Sequence, residues 1–263
     1  MSCHVLHDVS AGGRPRPPEK LEHEGISLVD LSTFSTKSYI QNWTNMTIRY
    51  KIIWYATFAI TMGYFEASIV EYLRELYYPE GFMFPLADVP RHILRIELGR
   101  EAASIIMIWS ISMFAGKWFI NKFAAFCFCF GIWDIFYYLF LRLFEGWPLS
   151  LGTDDILFLI PLPWVGPVWA PIAVSIALIW AAVTIWELCS RGIKLTPTNF
   201  DWSMEIISGL IIISSFLYGA KAAILKDQLP RFPWLIWLTG MIIGIFIFIR
   251  SVHRAEDFES RKK

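Results

Sequence analysis

From about residue 50 onward the chain alternates long apolar runs with short polar breaks. A helix needs about 20 mainly apolar residues to cross a bilayer, and six runs approach that length, at roughly 52–73, 98–119, 123–143, 156–188, 202–225 and 234–249. Trp54, Trp118, Trp147, Trp186, Trp202 and Trp234 lie near their ends, where aromatic rings settle at the membrane–water interface. The pattern predicts an all-α fold, a polytopic integral membrane bundle of about six transmembrane helices. Residues 1–45, which hold Gly12, Gly13, Pro15, Pro17 and Pro18, are expected to form a polar, mobile tail. Residues 46–251 form one transmembrane domain in this reading, and residues 252–263 a charged tail. No short apolar core with a small-residue cleavage site precedes the first run, so no signal peptide is expected.

The fourth run departs from the pattern. Pro161, Pro163, Gly166, Pro167 and Pro171 interrupt it, and proline removes a helical N–H and clashes with the preceding turn. At about 33 residues the run is also longer than one crossing requires. A broken or re-entrant apolar element over Ile156–Trp164 is predicted, followed by a full span from about Val168. Irregular backbone at membrane depth is tolerated where it is buried in protein or lines a wet cavity.

Composition supports the membrane class: 56% of the 263 residues are hydrophobic and 17% aromatic. Basic and acidic residues balance at 23 each, which leaves no net field to recruit nucleic acid, so membrane lipid is the expected partner. A homo-oligomer or a partner membrane subunit is compatible with the same surface. The four cysteines are too few and too scattered for a disulfide framework, and Cys127 and Cys129 read as packing residues. Lys and Arg collect on the face holding Arg49, Lys51, Lys117, Lys122, Arg191, Lys194 and the C-terminal basic residues. The positive-inside rule then makes both termini cytoplasmic.

Charge inside the apolar pattern concentrates between Glu66 and Glu101. Ionisable groups at membrane depth are costly, and they pair, line cavities or do chemistry. Glu66, Glu101, Asp134 and Asp155 converge at one depth on the non-cytoplasmic side and are the candidate catalytic acids. Glu97 and Glu101 share a helix face with Ser104, and Arg100 is three residues from Glu97. Glu97, Glu101 and Asp155 are the candidate oxygen ligands for a hard divalent cation such as Mg²⁺. Arg100, Tyr138 and Trp164 are the candidate substrate-binding residues. Tyr137 and Tyr138 stand within a turn of Asp134, so either hydroxyl is placed to donate to it. Glu71, Arg74, Glu75 and Arg95 read as a solvated, salt-bridged helix end. The Ala56, Ala59, Gly63 and Ala67 stripe predicts close helix approach, as do Gly240 and Gly244. The fifth and sixth runs otherwise read as scaffold, with almost no polar groups for the inner half of the bilayer.

No histidine lies in any apolar run, and H-E-x-x-H, phosphate-loop and G-x-S-x-G motifs are absent. Histidine-box di-iron chemistry, zinc proteolysis and serine hydrolysis are thereby disfavoured. Asp154–Asp155 stands alone, without the repeated aspartate pairs of membrane prenyltransferases. The preferred expectation is a membrane-embedded enzyme acting on a lipid or isoprenoid by acid–base or metal-assisted chemistry, because the acids crowd one side. The alternatives are a proton- or cation-coupled transporter and a structural subunit of a membrane complex.

Overall fold

The computed structural model describes residues 48–225 and 228–261; the predicted N-terminal tail, residues 1–45, lies outside them. In chain order, α1 (Ile48–Tyr77) is followed by α2 (Arg91–Ser112), which tightens into a 3₁₀ turn at Met113–Ala115, and by α3 (Phe119–Phe144). A hairpin of β1 (Asp154–Phe158) and β2 (Trp164–Pro167) leads into α4 (Trp169–Ser190). Then come α5 (Asn199–Leu217), a short α6 (Ala220–Leu225) and α7 (Trp234–Ser260). Five helical stretches are long and apolar enough to cross a membrane, beginning with α2 and ending with α7, the architecture of a multi-pass helical membrane protein. The sixth long helix, α1, is not among the five. Glu66, Glu71, Arg74 and Glu75 interrupt its apolar sequence, although its 30 residues reach about 45 Å.

Close contacts fix how the helices pair. Tyr55 meets Cys129, Gly63 meets Trp133, and Arg74 meets Glu145, so α1 lies parallel to α3 along most of its length. A Cβ at Gly63 would come within 3.1 Å of the Trp133 carbonyl, and Ala59 and Ala67 are fully buried on the same stripe. On the opposite side of α3, Gly131 packs on α4. The α5–α7 pair is equally close, with Ser208 donating to the Gly240 carbonyl at 2.8 Å. Tyr55, Phe128, Trp133 and Trp186 are buried in the main apolar core among α1, α3 and α4.

The break predicted in the fourth run is present, and the full helix begins at Trp169, but the broken part is a β-hairpin and not a re-entrant helix. Asp155 pairs with Gly166 and Ile156 with Val165, with an irregularity before Phe158 pairs with Trp164. Pro161 and Pro163 sit in the connecting turn, where their missing N–H groups leave no ladder bond unmade. The indole of Trp164 donates back to the Ile160 carbonyl at 2.9 Å. Gly166 is required by close approach, since a Cβ there would lie 2.8 Å from the Phe216 ring. The hairpin is thus wedged between the α1–α4 bundle and α5.

A helix-spacing prediction follows from the α3–α4 contact. At Gly131 an added Cβ would lie 2.6 Å from the Ser175 carbonyl and 2.8 Å from Ile179. Gly131→Val should cost about 1–3 kcal/mol, read as a lowered melting temperature in lipid nanodiscs. Gly99→Ala, where nothing lies within 4 Å, should leave the melt unchanged or raise it slightly.

Candidate functional site

At the end of the bundle where α1 finishes and α2 begins, a chamber of 390 Å³ opens beneath the 78–90 loop. Its walls carry Glu66, Arg74, Glu97, Arg100, Glu101, Asp134 and Asp155. The sequence separates these groups by up to about ninety positions; four elements, α1, α2, α3 and β1, bring them around one chamber.

Two arginines organise the chamber. Arg74 on α1 is buried, its Nη1 on Glu145 and its Nη2 3.1 Å from Asp155. The Phe82 and Trp147 rings flank its guanidinium at 4.4 and 3.8 Å, a cation–π sandwich that desolvates the charge while stabilising it. Burial raises the Asp155 carboxyl above its ordinary range, while the Arg74 guanidinium pulls it back. Arg100 on α2 reaches Glu66 across the helix pair through Nη1, and Glu97 on its own helix through Nε, at 2.9 Å, and Nη2. Ser104, one turn further in, donates to Glu66. Glu101 holds the hairpin: both its oxygens accept the Leu159 N–H, at 2.9 and 3.0 Å. Without that carboxylate the N–H at the hairpin tip would be left without a partner in the protein.

Asp134 sits deeper, midway along α3, and accepts from the Ser175 hydroxyl of α4 at 2.8 Å. It lines the polar chamber and also a second cavity of 830 Å³ between the α3–α4 pair and α5–α7. The walls of this second cavity are apolar, among them Phe130, Phe158, Trp164, Val174, Ile212 and Phe248. Asp134, Leu157 and Phe158 belong to both linings, so the acid stands where a charge-bearing chamber meets an apolar cavity.

Several readings of the sequence change. Glu66, Glu101, Asp134 and Asp155 do line one chamber, and Arg100 and Tyr138 line it with them. Trp164 lies in the apolar cavity instead, stacked on Phe216. The expected ligand set Glu97, Glu101 and Asp155 is not brought together: among the described residues no three His, Cys, Asp or Glu side chains are grouped to hold a metal ion. Each of these acids is already engaged, Glu97 by Arg100, Glu101 by the Leu159 amide and Asp155 by Arg74. The hydroxyl on Asp134 comes from Ser175 and not from Tyr137 or Tyr138; Tyr138 stands beside Asp155. Arg74 is no solvated helix end, whereas Glu75 and Arg95 are exposed as that reading requires. Glu145 and Ser175 gave no signal in the sequence, since their partners lie 71 and 41 positions away.

The opposite end of the bundle is also polar, contrary to the expectation that the last two runs supply almost no polar groups there. Asp201 closes a capping box with Thr198 at the start of α5, a device that satisfies the orphan N–H groups of a helix terminus. The same buried carboxylate pairs with Arg250 and, at 2.7 Å, with Arg254, both on α7. Asp201 and Glu205 line the far end of the apolar cavity. No known protein family, curated protein or solved structure matches this chain.

The charge network makes a stability prediction. Arg74→Gln leaves Glu145 and Asp155 without their shared cation, and breaking a buried pair from one side costs about 3–5 kcal/mol. Arg95→Gln, on an exposed residue, should stay within about 0.5 kcal/mol. Thermal melts of the two variants side by side check the contrast.

Proposed function

We propose that the protein is a membrane-embedded enzyme that takes a lipid or isoprenoid from the bilayer and acts on its polar end by acid–base chemistry centred on Asp134. The observation that carries this reading is the shared lining: one carboxyl stands between a polar chamber and a large apolar cavity, the arrangement an amphipathic substrate needs. Both cavities fall in the range of about 300–1,000 Å³ usual for small-molecule sites. Asp134 is the proton donor or acceptor, and Ser175 orients it through Oδ2. Glu66, Glu97, Glu101 and Asp155 act through the elements they hold in place. The acid–base form is favoured over the metal-assisted one because these carboxylates are already committed to arginines and to the Leu159 amide.

The test is lipid turnover. Purified protein in nanodiscs, incubated with a membrane lipid extract, should deplete one lipid species by mass spectrometry. Asp134→Asn should fold normally and lower that rate by a factor of about 10²–10⁴. A folded Asp134→Asn protein with full turnover would remove Asp134 from the chemistry. The transporter reading keeps one supporting observation, the acids Asp201 and Glu205 at the far end of the apolar cavity. It predicts proton or cation flux into liposomes, abolished by Asp134→Asn, without lipid turnover.

In the same reading α1 is a sixth crossing, so the described chain begins and ends on one face, the cytoplasmic one by its Lys and Arg bias. The support is its parallel packing along α3. With Cys3 and Cys189 replaced by Ser, cysteines at Tyr50 and Ser260 should resist an impermeant reagent in intact cells, and one at Gly81 should label. Labelling of the Tyr50 and Gly81 positions from the same side would leave α1 as a helix that does not cross.

A further inference from the structure

The charge inventory of the chamber restricts what can enter it. Six carboxylates line it (Glu66, Asp88, Glu97, Glu101, Asp134 and Asp155) against two arginines, with no lysine or histidine. An anionic headgroup would need a guanidinium or ammonium with donors to spare. Arg74 gives one N–H of each terminal nitrogen to a carboxylate, so its charge is matched by Glu145 and Asp155, and its faces lie against Phe82 and Trp147. Arg100 has Nη1 on Glu66 and both Nε and Nη2 on Glu97.

The chamber does offer acceptors. Asp155 is 1% exposed; Arg74 and the Tyr138 hydroxyl stand beside it, while its Oδ2 has no hydrogen-bond partner of ordinary geometry and retains acceptor capacity. Asp134 takes one hydrogen bond, from Ser175, among the described residues. The Tyr77, Tyr137 and Tyr138 side chains share the lining. The apolar cavity joins this chamber at Asp134, Leu157 and Phe158, so a tail lying in the cavity delivers its head to these acceptors.

We infer that the substrate is an amphiphile whose head donates hydrogen bonds and carries no negative charge, a hydroxyl or a protonated amine, with phosphate, diphosphate and carboxylate heads excluded. This inference rests on the lipid-enzyme reading and narrows its substrate class. A diphosphate would meet six acids against two arginines whose charges are already matched by carboxylates. A hydroxyl or ammonium would complete the hydrogen bonding of Asp155.

Three probes with one tail separate the possibilities: a long-chain isoprenoid alcohol, the matching amine and the matching diphosphate. Binding to the full chain in nanodiscs is read by quenching of tryptophan fluorescence, with a scrambled-lipid blank for partition into the bilayer. The alcohol or the amine should bind more tightly than the diphosphate by a factor on the order of 10 or more. Preference for the amine over the alcohol, falling in Asp134→Asn, assigns an ammonium head; equal binding of the two assigns a hydroxyl. Should Asp134→Asn fail to fold, the ranking on the unmodified protein still decides. A diphosphate that binds as well as the alcohol and the amine, or better, overturns the inference while the lipid reading stands. No saturable binding of any of the three defeats the lipid reading and the inference together.

Discussion

Charges buried in a membrane protein must be matched, and this chain meets that requirement chiefly through Arg74, Arg100 and Glu101, which tie distant elements together. Arg74 ties the end of α1 to the end of α3 through Glu145 and to β1 through Asp155. Arg100 ties α2 to α1 through Glu66. Glu101 ties α2 to the tip of the hairpin through the Leu159 amide. In a low-dielectric interior an unmatched charge is far more costly than a matched pair is stabilising. The network therefore works mainly as a specificity device: alternative placements of α2 or of the hairpin would strand a carboxylate or a guanidinium.

The hairpin is the second consequence of that constraint. Its prolines and Gly166 prevent a continuous helix, and a free strand would leave its N–H and C=O groups unpaired. Pairing β1 with β2, capping Leu159 with Glu101 and packing Gly166 against Phe216 satisfy the backbone within the protein. The wedge that results holds α5 and α7 away from α3 and α4 over part of their length, and the apolar cavity is the space so created. Polar chamber and apolar cavity meet at Leu157 and Phe158 because those residues belong to the wedge itself.

The two ends of the bundle handle charge differently. At the chamber end the acids outnumber the arginines and surround open space. At the other end one carboxylate, Asp201, serves a helix cap and two arginines at once, so the contact is closed and holds α5 to α7. The first arrangement leaves acceptor capacity for a ligand, and the second leaves little. That difference, more than the count of charges, separates a site from a brace.

The sequence by itself determined the membrane class, the positions of five apolar helices, the break before Trp169 and the acids Glu66, Glu101, Asp134 and Asp155 as chamber residues. These follow from hydropathy, from proline and glycine chemistry and from the cost of charge at depth, all of which act locally. It also marked Gly63 and Gly240 as close-packing sites, because a missing Cβ is legible without its neighbour. Only the tertiary structure decided that the break is a hairpin, that Arg74 is a buried hub, that Ser175 holds Asp134, and that Glu97, Glu101 and Asp155 are spent on other partners. Those are pairings between residues tens of positions apart. Local pattern carries the energy of exposing a group to lipid, but the identity of its partner depends on which helices touch.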